Sequence, residues 1–185
     1  PGPPSACTQS PITDILNKSQ YKNLGVVLRD ITDNQSASIN SSQTFPIASL
    51  YKLFLAKWIY EQKIDRNQKI PLYNVASNLE ENREDGIAFL YAKNPPKDGQ
   101  LVSIEECMRK MIVYSDNVCG ASLLNWARNN KGYTGPGGLS EYSVGAIADL
   151  LNSIKDIPGI YNLMLQQYHN KKIPAGCSGA TIANK

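Results

Sequence analysis

The chain has 185 residues, of which 42% are hydrophobic and 19% charged, and its net charge is +3. These values are ordinary for a globular protein and predict a single domain over residues 1–185. The basic residues are scattered without interleaved aromatic residues, which argues against a nucleic-acid partner, and no apolar run reaches the roughly 18 residues of a membrane-spanning helix.

The first residues read PGPPSAC, which is neither a start methionine nor a signal peptide. We interpret residues 1–10 as a proline-rich linker of the kind that follows an export signal or a membrane anchor. This interpretation, together with the cysteines discussed below, predicts an extracellular or cell-envelope location. The anchor itself would lie in a segment outside this chain.

Hydrophobic patterning predicts the elements of the first third of the chain. Residues 14–18 favour a short amphipathic helix. Two β-rich runs, 23–31 and 36–40, flank turn residues and predict a β-hairpin. Residues 48–62 are apolar nearly all the way round, which is typical of a buried helix.

The remainder of the chain is predicted to be mainly helical. Ser77 with Glu80, and more clearly Ser103 with Glu106, form the capping-box pattern of a helix start. Further helices are predicted over about 118–128, 143–154 and 158–168, with a glycine-rich loop over 129–138 and a β-prone run at the end. The order of elements predicts an α/β (α+β) protein, in which an α/β lobe is split around a helical lobe.

Four cysteines are present, and the sequence alone does not choose among their three possible pairings. A Cys107–Cys119 bond would join two neighbouring helices, and a Cys7–Cys177 bond would tie the two ends of the chain together. Four reduced thiols remain the alternative. Because there is no C-x-x-C pair and a single histidine, we expect no metal site and no cofactor.

Ser49 and Lys52 lie three residues apart at the start of the apolar 48–62 helix, so their side chains share one face. A lysine among apolar side chains is costly to keep charged, and a lowered pKa makes it a plausible base for a serine nucleophile. The alternative is a lysine whose stem lies along apolar surface and whose head reaches water. The spacing alone is weak, since about one chance match is expected in a chain of this length.

A second polar group, Ser115-Asp116-Asn117, interrupts two apolar helices. It is interpreted either as a helix break whose Ser or Asp caps the next helix, or as a proton relay at Ser115 with Asn117 orienting an amine or a substrate amide. The last residue, Lys185, is either a solvated terminal lysine or the third part of a site.

Taken in order, these three features resemble the motifs of the penicillin-recognising serine enzymes, and the chain is similar to the class A β-lactamase-like serine hydrolases over about residues 23–185. The resemblance rests on FPIASLYKLFLA around Ser49, MIVYSDNVCGASLL around Ser115, and the segment before Lys185, which looks like the approach to the Lys-Thr-Gly strand of that family. It implies a β-lactamase/DD-peptidase-like fold, with a helical lobe (48–169) inserted into an antiparallel-sheet lobe (11–47 and 170–185).

The resemblance also implies the roles of the site residues. Ser49 attacks a lactam or D-alanyl amide, and Lys52 takes its proton. Ser115 passes a proton to the leaving nitrogen, and Asn117 holds Lys52 and the substrate amide. Lys185 polarises Ser115 and attracts the substrate carboxylate.

An aromatic residue beside the site is also implied by the resemblance, and Tyr91 lies about where the family keeps it. The alternative for Tyr91 is a loop aromatic packed on the helical lobe. A Ser-His-Asp triad built on His169 has no local motif behind it.

Two departures from the family pattern limit the prediction. The family's deacylating glutamate has no counterpart in 118–143, where the single carboxylate, Glu141, lies too near the following helix to be assigned that role. The chain also stops at Lys185, before the family's last strands, closing helix and second oxyanion donor. We therefore expect a fragment of a longer protein, and acylation is better supported than fast deacylation.

The function predicted is a serine hydrolase that forms an acyl-enzyme through Ser49 with β-lactams or peptidoglycan-like peptides. Two alternatives stay open: a DD-peptidase or transpeptidase-like enzyme, and a non-catalytic cell-envelope binding module on the same fold. The expected partner is a small-molecule substrate, and the expected oligomeric state is a monomer.

Overall fold

The computed structural model describes residues 23–29 and 36–168, and the account below concerns these ranges. They form an α+β fold of helices and small antiparallel sheets, as the sequence predicts. The predicted segments 14–18 and 170–185 lie outside the described residues. None of the described helices is long and apolar enough to cross a bilayer.

The predicted hairpin is confirmed. Strand β1 (Val26–Arg29) pairs antiparallel with strand β2 (Ser36–Ile39), with Val26 opposite Ile39. A third strand, β3 (Thr44–Pro46), follows at once and leads into a 3-10 turn, Ala48–Leu50. Helix α1 (Tyr51–Glu61) continues from that turn.

Helix α1 is the centre of the hydrophobic core, in agreement with its apolar sequence. Its side chains are buried on nearly every side, and those of Leu53, Leu55 and Ile59 have no exposed surface. Side chains from the other helices pack around it to form one cluster of buried residues. A lysine in this helix is therefore surrounded by apolar atoms, which is the condition under which its charge becomes costly.

Two short strands frame the next helix. Strand β4 (Lys69–Pro71) pairs antiparallel with strand β5 (Leu101–Ser103), and helix α2 (Val75–Glu84) lies between them in the chain. The predicted capping box at Ser77 is wrong, because the helix begins two residues earlier. The N–H of Val75 donates instead to Asp98 Oδ1 at 3.0 Å, so a carboxylate from the following loop satisfies the helix start.

The Ser103–Glu106 capping pattern is confirmed, since Ser103 Oγ accepts from the N–H of Glu106 at 3.2 Å at the start of helix α3 (Ile104–Val113). Helix α4 (Asn117–Lys131) follows after a break of three residues, and its N-cap is Asp116. Helices α3 and α4 pack against each other, and α2 packs on α4.

The predicted loop 129–138 is shorter in the structure, because α4 continues to Lys131 and ends at Gly132, whose φ is +70°. The chain then enters strand β6 (Glu141–Ser143), which pairs antiparallel with β3. The backbone N–H of Ile47 also donates to the carbonyl of Ser140 at 3.0 Å. The glycine-rich segment is thus fastened to the strand that leads into α1.

Two helices complete the described chain, as predicted: α5 (Val144–Ile154) and α6 (Pro158–Leu165). Ser143 caps α5 by accepting from the N–H of Ala146 at 3.2 Å. Helix α5 packs against β1, which joins the hairpin to the helices.

Candidate active site

Ser49 lies in the 3-10 turn before α1 and lines a cleft of about 770 Å³. The residue before it, Ala48, has a φ of +43°. A left-handed backbone at a residue with a Cβ costs about 1–3 kcal/mol and persists where the surrounding structure holds it. The surrounding structure therefore holds the Ala48–Leu50 turn in a conformation in which Ser49 lines the cleft.

Lys52 is fully buried, and its side-chain nitrogen contacts three other residues of the site. Its Nζ lies 3.2 Å from Ser49 Oγ, 2.6 Å from the Ser115 carbonyl, 3.3 Å from Ser115 Oγ and 2.7 Å from Asn117 Oδ1. Ser115 Oγ in turn donates to Ser49 Oγ at 3.0 Å. Four of the residues predicted from the sequence therefore lie in one hydrogen-bonded group.

Burial lowers the pKa of Lys52 from 10.5 to about 8, and the carboxylates of Asp116, Asp85 and Glu81 offset part of that effect. A pKa of about 8 leaves roughly a tenth of the amine neutral at pH 7. A neutral amine 3.2 Å from a serine hydroxyl can accept its proton. The apolar surroundings of α1 thus produce the base that Ser49 needs.

Asp116 fixes the Ser-Asp-Asn triplet from inside the protein. Its carboxylate is fully buried and accepts two hydrogen bonds on each oxygen. The donors are Asn82 Nδ2 at 2.6 Å and the Val118 N–H at 3.1 Å on Oδ1, and the Tyr91 hydroxyl at 2.6 Å and the Cys119 N–H at 3.3 Å on Oδ2. Asp116 is therefore a saturated N-cap and structural anchor, as the helix-break interpretation predicted.

Asn82, in helix α2, was not predicted from the sequence, and it holds the triplet in place. It is fully buried, donates to Asp116 and accepts from the backbone N–H of Asn117 at 2.9 Å. Ser115, between the helices, has a φ of +62°. In the sequence Asn82 is one of several polar residues in α2, and nothing there distinguishes it as the residue that contacts the triplet.

Tyr91 is 8% exposed, and it is not among the residues that line the cleft. Its hydroxyl is committed to Asp116, and Lys110 Nζ lies over its ring at 4.8 Å. This placement corrects the expectation of an aromatic gate at Tyr91: its ring is packed within the helical lobe behind the triplet, and not at the rim of the cleft.

The far wall of the cleft carries carboxylates that sequence reasoning did not assign to the site. Glu81, Glu84 and Asp85, spaced three and one residues apart, lie on one face at the end of α2 and line the cleft with Ser49. Asp85 Oδ2 accepts from Asn117 Nδ2 at 3.0 Å. Among the described residues, no lysine or arginine forms an ion pair with these three groups.

Other candidates from the sequence lie away from the site or outside the described ranges. Glu141 is in β6, where its carboxylate lies 3.5 Å from Thr44 Oγ1, and it does not line the cleft. Lys185 and His169 lie outside the described residues. Within the described ranges, no group of three His, Cys, Asp or Glu side chains is arranged to hold a metal ion.

Comparison with known families identifies the group to which the chain belongs. A model of the beta-lactamase enzyme family matches residues 8–185. The chain belongs to this family. A comparison with curated proteins finds no significant match.

Solved structures support the β-lactamase fold. A beta-lactamase from Chitinophaga pinensis superposes with a TM-score of 0.64 at 14% identity, over 94% of this chain and 75% of that one. The TLA-3 extended-spectrum beta-lactamase gives a TM-score of 0.67 at 17% identity, over 94% and 74%. Penicillin binding protein 5 from Haemophilus influenzae gives 0.54 at 19% identity, over 80% and 49%. At these identities the likeness establishes the fold of this β-lactamase family member.

Proposed function

We propose that the chain is a serine hydrolase that forms an acyl-enzyme through Ser49 with β-lactams or with D-alanyl peptides of the peptidoglycan type. The observation that carries the proposal is the position of Lys52 Nζ, 3.2 Å from Ser49 Oγ, together with its lowered pKa. A nucleophile beside a buried base, in a cleft that admits a small molecule, is the arrangement of covalent catalysis.

In the proposed acylation, Ser49 Oγ attacks the carbonyl carbon of the lactam or amide while neutral Lys52 takes the hydroxyl proton. The carbon–nitrogen bond then breaks. The Ser115 hydroxyl gives its proton to the leaving nitrogen and recovers one from the Lys52 ammonium, 3.3 Å away. The 3.0 Å contact between the two serine hydroxyls supports this relay, because it places the proton donor beside the reacting centre.

The substrate class rests on the family and on the cleft. Asn117 holds Lys52 through its Oδ1. Its Nδ2 donates one hydrogen to Asp85, and we propose that the second hydrogen donates to a substrate amide carbonyl in the cleft. The role of Lys185, attraction of a substrate carboxylate, is retained as part of the proposal. We also propose a monomeric protein and, because the first residues are rich in proline like a linker, an exported one.

The proposal is tested by incubating the protein with benzylpenicillin and measuring intact mass. We expect one added penicillin on the wild type and none on Ser49→Ala. Ser77→Ala, which changes an exposed serine of α2, is the matched control and should be labelled like the wild type. Labelling of Ser49→Ala would contradict the assignment. So would a wild type that shows neither an adduct nor hydrolysis with penicillin and with a D-alanyl peptide ester, a result that would favour a non-catalytic binding module.

A further inference from the structure

Hydrolysis of an acyl-enzyme needs a base that activates water, and the cleft shared with Ser49 contains carboxylates that could supply one. No residue for this second half of the reaction was assigned from the sequence, and assigning one here rests on the proposed function.

The contacts single out Asp85. Its Oδ2 accepts from Asn117 Nδ2 at 3.0 Å, and Oδ1 of the same amide accepts from Lys52 Nζ at 2.7 Å. One amide group therefore separates the Asp85 carboxylate from the amine that contacts Ser49. Ser49 and Asp85 line the same cleft, which is large enough to hold water together with a small substrate.

The other carboxylates near the site lack one of these properties. Asp116 is fully buried, and each of its carboxylate oxygens already accepts hydrogen bonds from two donors. Glu81 and Glu84 line the cleft, but no hydrogen bond connects them to Asn117, Lys52 or either serine. The carboxylate of Glu141 lies in β6 beside Thr44. Of the described acidic residues, Asp85 alone combines access to water with a direct contact to the catalytic group.

The backbone holds Asp85 at a defined point. Its N–H donates to the Glu81 carbonyl at 3.0 Å at the end of α2, and Gly86 follows with a φ of +73°. The next residue, Ile87, is fully buried, and its N–H donates to the Asn82 carbonyl at 2.9 Å. The end of α2 before Asp85 and the buried Ile87 after it fix the backbone on both sides of this residue. A catalytic base requires such a precise position.

We propose that Asp85 is the general base of deacylation. The Asp85 carboxylate takes a proton from a water molecule, whose oxygen adds to the carbonyl carbon of the Ser49 ester. The bond between that carbon and Ser49 Oγ then breaks. Oγ recovers a proton through Lys52, which is neutral after acylation and takes up, by way of water in the cleft, the proton that Asp85 acquired. The acid product leaves, and Lys52 is neutral and Asp85 ionised, as before the reaction.

The test measures the two half-reactions separately on the full chain. The mass of the penicillin adduct after rapid mixing gives the rate of acylation, and its loss after removal of free penicillin gives the rate of deacylation. We expect Asp85→Asn to be acylated at a rate within about fivefold of the wild type. Its adduct should persist at least about 100-fold longer, because a general base contributes 10²–10⁴-fold. Asp85→Glu should recover part of the deacylation rate.

Glu84→Gln is the matched control, since it removes a carboxylate one residue away that lines the same cleft, and its adduct should have the wild-type lifetime. An unchanged lifetime in Asp85→Asn would overturn the assignment. So would a loss of acylation as large as the loss of deacylation, which would show that Asp85 acts by positioning Asn117. A higher KM for penicillins with a cationic side chain, with no change in deacylation, would also overturn it and indicate substrate recognition. If the wild type and Asp85→Asn form no adduct and the wild type does not hydrolyse penicillin, the proposed function fails first, and the role of Asp85 falls with it.

Discussion

Gly120 in helix α4 lies so close to Lys52 that a Cβ at this position would stand 2.7 Å from Lys52 Cε. The same Cβ would lie 2.7 Å from the Tyr51 hydroxyl oxygen. The absence of a side chain at residue 120 therefore creates the space in which the buried lysine reaches Ser49, Ser115 and Asn117.

We expect Gly120→Ala to impair acylation without removing any functional group. Overpacking should lower the free energy of unfolding by about 1–3 kcal/mol, and a displacement of the amine by about 1 Å should reduce the acylation rate roughly 100-fold. The measurements are urea unfolding and the rate of penicillin adduct formation. Ala127→Val, which overpacks a fully buried site further along α4, is the control and should lose stability but keep its acylation rate.

The pKa of Lys52 predicts the pH dependence of acylation. Because the neutral amine is the base and its pKa is about 8, kcat/KM for acylation should rise about tenfold per pH unit below 8 and level off above it. Lys52→Arg should abolish acylation at every pH tested, because a guanidinium stays charged. A flat profile between pH 6 and 8 in the wild type would contradict the role of Lys52.

The same pKa makes a prediction about stability, with the sign fixed by proton binding. The folded value of about 8 lies below the ordinary 10.5, so the unfolded chain binds more protons between these pH values. The contribution of Lys52 to stability is therefore unfavourable at neutral pH and is relieved as pH rises from about 8 to about 10.5. Lys52→Met should remove this dependence, which can be read from urea midpoints across that range.

The placement of Tyr91 predicts a structural role. Burial raises the pKa of its hydroxyl, which therefore remains a proton donor to Asp116. We expect Tyr91→Phe to cost about 1–3 kcal/mol of stability, since it leaves a buried carboxylate oxygen with one donor fewer, and to leave KM for penicillin unchanged. A selective increase in KM with unchanged stability would restore the gate interpretation.

Cys107 in α3 and Cys119 in α4 are thiols whose sulfur atoms lie 2.7 Å apart, which brings the pairing considered from the sequence within reach. We expect oxidised glutathione to convert them into a disulfide by thiol–disulfide exchange. The closed loop is short, and the expected gain in stability is about 3 kcal/mol. Peptide mapping without reductant and thermal unfolding with and without dithiothreitol measure this, and Cys107→Ala should abolish the difference. A wild type that keeps both thiols in the oxidant would contradict the prediction.

The fold, and the part of the site formed by Ser49, Lys52 and residues 115–117, could be predicted from the sequence because both depend on local patterns. The apolar helix with Ser49 and Lys52 has a clear helical period, and the polar break at 115–117 interrupts two such helices. Strands β3, β4, β5 and β6 were not predicted, since three residues are too few to show an alternation.

Contacts between distant segments could not be predicted from these patterns. Asn82 and Asp85 reach Asn117 across more than thirty residues of chain, and α2 carries so many charges that it is typical of a solvated helix. The wrong capping box at Ser77 has the same origin, because the group that satisfies the helix start comes from Asp98 in another loop.

Helix α2 lines the cleft, but it buries little apolar surface against the rest of the protein. Its buried residues are Val75 and two asparagines, of which Asn78 bonds only to the start of its own helix and Asn82 bonds to Asp116 and Asn117. Segments with little buried apolar surface open at a lower free energy than the core. Amide hydrogen exchange should therefore show α2 opening while α1 and α4 stay protected, and penicillin reactivity should vanish at a urea concentration below the midpoint of global unfolding. We therefore expect the site to lose its structure at a lower denaturant concentration than the protein as a whole.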